Sequence, residues 1–391
     1  MRHGFAWAAV GMSVLMLAQG AGAGSKINVQ FRDSVRTLEN VQDLTARGDQ
    51  SAADLQSKLL LQIESDLKHA EKSDLQDTRN LRAMAIYLFS GGNPDAAERR
   101  LITLKMAAGD KNLLDGALAY ARSDKANAIR HLSAVFPADL PANLGGRVAL
   151  VKSILSSEEN LHASLAMLDT ARALMPGTLV EEAALRRCIS FAGMLSEIAE
   201  LERCASLYIR RYANSVYWLE FEESLITSVV QVDYGKPGRS LQNLNAVLED
   251  LRPDLHRKML LSISRAAVNH GRFSTALACA QKANDMSRAD SLDKARANLY
   301  LTATLISQSD FELGLGKLAA IDGTAFAGDD QILFQKVWKL VEQITANPLM
   351  NKNQAVQSLT LEEITDGAEP VYLSLLARAE KALADPASEK F

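Results

Sequence analysis

Helix stops and helix starts follow one another at short intervals along this chain, and that punctuation leaves little but an all-α fold open to it. Apolar residues recur three and four positions apart in Phe31, Val35, Leu38, Val41 and Leu44, and again in Leu55, Leu59, Ile63 and Leu67. Breaks fall at Gly48, at Gly91-Gly92-Asn93-Pro94, at Gly109, at Pro137 to Gly146 and at Pro176-Gly177. Others fall at Ala213 to Ser215, Gly235 to Gly238, Pro253, Gly271, and Gly323 to Asp329. The pieces between are mostly 12 to 20 residues, the ordinary length of a packed helix. No stretch alternates polar and apolar residues between paired turn signals, as a strand would. The breaks predict helix pairs repeating at roughly 35 to 45 residues, the range of tetratricopeptide-like solenoids. Gly271-Arg272-Phe273-Ser274-Thr275-Ala276, continuing to Ala283, gives the clearest unit: a glycine, an aromatic, then alanines that let two helices approach. No strict period holds along the chain. The expectation is therefore an all-α array of antiparallel helix pairs, a tetratricopeptide-like irregular solenoid, over residues 24–345. A polar segment follows in 346–391, with a last helix predicted at Val371 to Leu383.

One joint is written in full. Pro176 cannot continue the helix before it, and Gly177 can take the left-handed conformation that closes a helix end. Thr178 and Glu181 have the spacing of a capping box. In that motif the Thr178 hydroxyl accepts from the Glu181 amide, and the Glu181 carboxylate reaches back to the Thr178 amide. Glu181 and Glu182 sit where the positive end of the helix dipole favours them, and Glu182 faces Arg186 one turn on. Cap and dipole chemistry account for both acids.

The first residues read as a secretory signal. Arg2 supplies charge, Phe5 to Ala18 is an apolar run, and Ala21-Gly22-Ala23 has the small-x-small form that precedes cleavage after Ala23. The run is short of the roughly 20 residues that span a bilayer, so no stable membrane insertion is expected after cleavage of residues 1–23. Removing Arg2 takes the formal net charge from −4 to −5, spread without a block of like sign. Nucleic acid calls for a concentrated basic surface and is not an expected partner. An exported chain is bound for an oxidising compartment, where cysteines can pair. Cys188 and Cys204 are equidistant from Ser196, and a hairpin turning at Gly193 to Ser196 would set them at matching heights on facing helices. A bridge and two buried unpaired thiols both remain open there. Cys279 reads as a small core residue.

The usual marks of chemistry are missing. Six histidines, at 3, 69, 131, 162, 256 and 270, show no metal-ligand spacing and read as surface or helix-end residues. Gly314-Leu315-Gly316-Lys317 lies in a helical pattern without the strand that a phosphate loop follows. No Gly-x-Ser-x-Gly elbow occurs. Soluble lytic transglycosylases carry a catalytic Glu-Ser followed by Gly-Leu-Met-Gln. Glu223-Ser224 is present here, but nothing like Gly-Leu-Met-Gln follows, and Glu222 and Glu223 read as a solvated helix face. The pairs Arg99-Arg100, Arg186-Arg187 and Arg210-Arg211 also read as solvated faces. Tyr217, Trp218 and Phe221 read as a buried contact between repeats. No catalytic residue, metal ligand or cofactor is expected.

Three segments carry a resemblance. They are Val35-Arg36-Thr37-Leu38-Glu39-Asn40-Val41-Gln42-Asp43, then Arg79 to Arg82 with Ile86-Tyr87 and Ser90 to Pro94, then Pro176 to Arg187. In order and spacing they resemble the MotC family, periplasmic motility proteins of alpha-proteobacteria, and the likeness runs to about residue 235. The resemblance implies a non-catalytic role in flagellar rotation. It also implies a partnership with, or chaperoning of, MotB, the stator protein whose periplasmic domain anchors to peptidoglycan. The alternative is an exported tetratricopeptide-like scaffold for another cell-envelope complex.

Overall fold

In the computed structural model, residues 23–346 are described, apart from 103, 237, 238, 240, 309 and 310. The signal segment up to Gly22 and residues 347–391, with the helix predicted at Val371 to Leu383, lie outside the described residues. All regular structure within them is helical, as the punctuation predicts. A hairpin of α1 (Ala23–Ala46) and α2 (Gln50–His69) leads into a short α3 (Lys72–Leu75). Seven helix–turn–helix units follow. The first three are α4 (Thr78–Phe89) with α5 (Pro94–Leu101), α6 (Ala108–Ala121) with α7 (Lys125–Leu132), and α8 (Ala142–Ser156) with α9 (Leu161–Leu174). The next two are α10 (Leu179–Leu195) with α11 (Ile198–Tyr212), and α12 (Trp218–Val232) with α13 (Leu241–Leu248). The last two are α14 (Pro253–Asn269) with α15 (Phe273–Asp285), and α16 (Leu292–Gln308) with α17 (Phe311–Ala319). α18 (Asp329–Ala346) stands after them.

The period is steadier than the sequence pattern. From α8 onward the first helices of successive units begin at residues 142, 179, 218, 253, 292 and 329, spacings of 35 to 39. Each packs on the next, α10 on α12, α12 on α14, α14 on α16. The repeat is partly hidden because the α6–α7, α8–α9 and α10–α11 turns are made without glycine or proline. Ser123 and Ser196 take positive φ, and Asp124 and Asn160 cap the helices that follow them. Short polar side chains tolerate or cap such turns. Asn93 caps α5 with Pro94 in its first turn, accepting from the Asp95 and Ala96 amides.

Gly145 and Gly146 correct one predicted break. They lie inside α8, where a β-carbon on Gly145 would stand 2.3 Å from the Pro137 carbonyl oxygen and one on Gly146 would stand 2.6 Å from the Met175 side chain. They are points of close approach, and the helix pays their conformational cost for tight packing. Two apolar cores result. One runs from Phe31 to Leu155, and the other takes in Ala46 and then runs from Ala149 to Val341. α1 and α8 belong to both: Leu38 and Val148 lie in the first, Ala46 and Ala149 in the second.

Candidate functional site

The joint at Pro176 is a meeting of three segments, and its cap differs from the predicted box. Thr178 stands at the N-cap of α10, but its hydroxyl makes no cap bond and donates to the Met175 carbonyl instead, at 2.7 Å. The Glu181 carboxylate accepts from the Gly177 amide at 2.7 Å, one residue earlier than a capping box requires. The helix N-terminus is capped from a distance: Asp43 of α1 accepts from the Leu179 amide at 2.9 Å. With Asp43 already on an α10 amide and the Thr178 hydroxyl turned back to α9, the reciprocal box has no room to form. The α11–α12 loop closes the third side, with Val216 donating to the Thr45 carbonyl and Gly48 packed on the Asn214 backbone.

Both glutamates of α10 are buried and fully engaged. Glu181 accepts from the Tyr212 hydroxyl at 2.7 Å and pairs with Arg211. Glu182, with no exposed surface, accepts from the Tyr208 hydroxyl at 2.7 Å, from Arg186 at 2.8 and 3.1 Å, and from Ser215 at 3.3 Å. Burial, then the adjacent carboxylates, push the Tyr208 and Tyr212 hydroxyls far up from the ordinary tyrosine range. Arg186 also lies over the Tyr217 ring, 4.7 Å from its centroid. Of the paired arginines, Arg186 is thus a structural tie rather than a solvated face, Arg211 is exposed and pairs with Glu181, and Arg210 lies 3.5 Å from Asp250. Tyr208 stacks on buried Phe221 at 4.1 Å, and Trp218 lies 4.9 Å from Phe221, the buried contact that the sequence suggests. These acids hold helices together.

Further along α10 the hairpin turns at Ser196, and a disulfide joins Cys188 to Cys204 with a Cα separation of 6.3 Å. Small neighbours, Ala192 and Ala205, allow that approach. Glu200 lies 3.1 and 3.3 Å from the two sulfurs, and Arg172 lies 3.2 Å from that of Cys204. Cys188, Glu200 and Cys204 form the one convergent group of ligand-type side chains among the described residues. Bridged sulfurs offer no thiolate, and the Arg172 cation faces them, so the group does not suit a metal ion. Cys279 is a buried free thiol whose pKa burial pushes up to about 12. Glu223 is exposed on α12. His256 departs from its predicted surface place: it is buried on α14, and its Nε2 has no partner among the described residues.

A groove of about 1080 Å³, which the sequence did not reveal, opens beside α2. The turns that end α4, α6 and α8 form its floor, and Leu60, Leu61 and Glu64 of α2 form a wall. Phe89 and Tyr120 meet edge to face in it, with centroids 6.0 Å apart.

The family model described as "Chemotaxis protein MotC" matches residues 1–390. This chain belongs to the MotC family. It is 26% identical over 319 residues to the chemotaxis protein MotC of Rhizobium meliloti (strain 1021), covering 81% of this chain and 72% of that relative. No solved structure matches the chain. A motility-associated role follows from the family. The structure brings two of the three MotC-like segments together, since Asp43 and Leu179 belong to the first and the last. The middle one supplies Tyr87 and Gly91 to Pro94 to the groove.

Proposed function

We propose that this MotC-family protein works in the periplasm as a non-catalytic partner or chaperone of the stator protein MotB. The observation that carries the reading is the family match over residues 1–390. The geometry supports it. Glu181 and Glu182 are consumed as helix ties, and Glu223 stands on an exposed face away from the groove. Arrays of helix pairs present extended surfaces to other proteins. The predicted signal segment supports export, and no helix among the described residues is long and apolar enough to cross a membrane. The test is a deletion strain examined together with co-purification. The expected strain is flagellated but paralysed, and the purified chain retains the periplasmic part of MotB. Normal swimming together with no MotB retention would contradict the proposal.

A further inference from the structure

α18 begins where the first helix of an eighth unit belongs, at the spacing of the helices before it. The tie between first helices continues onto it. Arg257 of α14 donates to Asp293 of α16 at 2.7 Å, and Arg296 of α16 donates to Asp330 of α18 at 2.7 Å. First helices inside the array are covered on several sides and bury consecutive residues, Met259 to Leu261 in α14 and Leu299 to Thr304 in α16. α18 buries a single stripe, Asp330, Leu333, Val337, Leu340 and Val341, the three-and-four spacing of a helix covered on one side. Beside that stripe run Phe334 and Trp338, one turn apart, their rings half-buried at the edge of the core with centroids 6.3 Å apart. Among the described residues no second helix follows α18 to cover that flank.

We propose that the helix predicted at Val371 to Leu383 docks on the Phe334–Trp338 flank of α18 as the second helix of an eighth unit and closes the array. Its sequence selects it. In α15, the second helix of the sixth unit, Phe273, Ala276, Ala280 and Ala283 are buried. Tyr372, Leu375, Ala379 and Ala382 repeat that spacing, an aromatic followed at three, seven and ten positions by aliphatic side chains. Leu376 stands where α15 has Leu277, which packs on the core. The predicted helix also has the 13 residues of α15. Residues 347–370 give it reach: an 18-residue helix is about 27 Å long, and an extended chain gains about 3.3 Å per residue. A covalent tether supplies the segment at an effective concentration of about 1 mM, which favours it over a second copy or a separate partner. Inner units cover the corresponding flank with their own second helix, and a solenoid end needs the same cover. The inference does not depend on MotB.

Two spin labels on the purified full chain test it. Lys339→Cys puts one on the exposed face of α18, and Lys381→Cys puts the other on the polar side of the predicted helix. The bridged Cys188 and Cys204 and the buried Cys279 stay unlabelled. Packed helices lie about 8–10 Å apart, so double electron–electron resonance is expected to give one narrow distance below about 35 Å. Dilution with unlabelled chain should leave it unchanged. Leu375→Asp with Leu376→Asp is expected to abolish the narrow distance and to speed amide exchange in α18 at least about tenfold. Both residues lie outside the two apolar cores, and a circular-dichroism spectrum verifies that the array stays folded. A broad distribution in the parent overturns the proposal, as does a narrow one that the aspartates leave unmoved. A narrow distance that fades on dilution assigns the flank to a second copy, and one that appears only with MotB assigns it to a partner; each overturns the proposal. The expected distance in a chain that ignores MotB keeps this inference and removes the MotB reading.

Discussion

Asp43 caps a helix that begins 136 residues later in the chain, and its side chain is the residue on which the joint turns. Burial raises its carboxyl above the ordinary range, against the opposing effect of the Leu179 amide and nearby arginines. A raised folded pKa means that the ionised form costs stability as pH rises through it. Asp43→Asn keeps the acceptor and sheds that cost, so it is expected to be as stable as the parent at pH 7, or more stable. Asp43→Ala leaves the Leu179 amide unpaired and is expected to lose about 1–2 kcal/mol in urea unfolding. His256 has the opposite sign. Burial first, then Lys282, lower its pKa, with Glu249 opposing. Its contribution is present above the unfolded value of about 6.5 and is lost as pH falls through the lowered folded pKa. His256→Leu is therefore expected to flatten the acid side of the stability–pH curve below that value. A variant as acid-sensitive as the parent contradicts the assignment.

At the scale of elements, the Cys188–Cys204 bridge closes the α10–α11 hairpin across a separation of 16 residues. By loop-closure entropy it contributes about 3 kcal/mol, and Cys188→Ala with Cys204→Ala should lower the unfolding free energy by about that amount. Reductant should then have no further effect on the double variant. Tyrosine–carboxylate clasps recur between helices: Tyr208 with Glu182, Tyr212 with Glu181, Tyr234 with Glu202, Tyr300 with Asp330. Burial and those carboxylates raise all four hydroxyls. Stability is thus complete below the unfolded tyrosine value of about 10 and falls as pH rises above it. Tyrosine absorbance followed against pH should show these phenols ionising only with unfolding. Much of the helical order was legible, because caps such as Asn93-Pro94 and stops such as Pro176-Gly177 are local chemistry. Asp43's cap, the clasps and the groove were not. Each depends on partners distant in the chain, and no short motif encodes such a meeting. Gly145 and Gly146 misled for the same reason, since a glycine chosen for a neighbour's closeness looks like a turn.

Over the whole molecule, α1 and α8 join two apolar cores into one array, and polar ties reinforce the seam. Buried Arg147 of α8 donates to Gln42 of α1 at 2.9 Å and lies 3.6 Å from Glu39, while Asn143 donates to Glu39 at 3.0 Å. Such an array presents an extended surface in fixed register. The proposed role requires that this MotC-family chain bind MotB. Titration calorimetry of the purified chain with the periplasmic part of MotB tests it most directly. The account predicts a saturable complex of defined stoichiometry. The absence of any heat of binding at several temperatures, with both proteins folded, would contradict it.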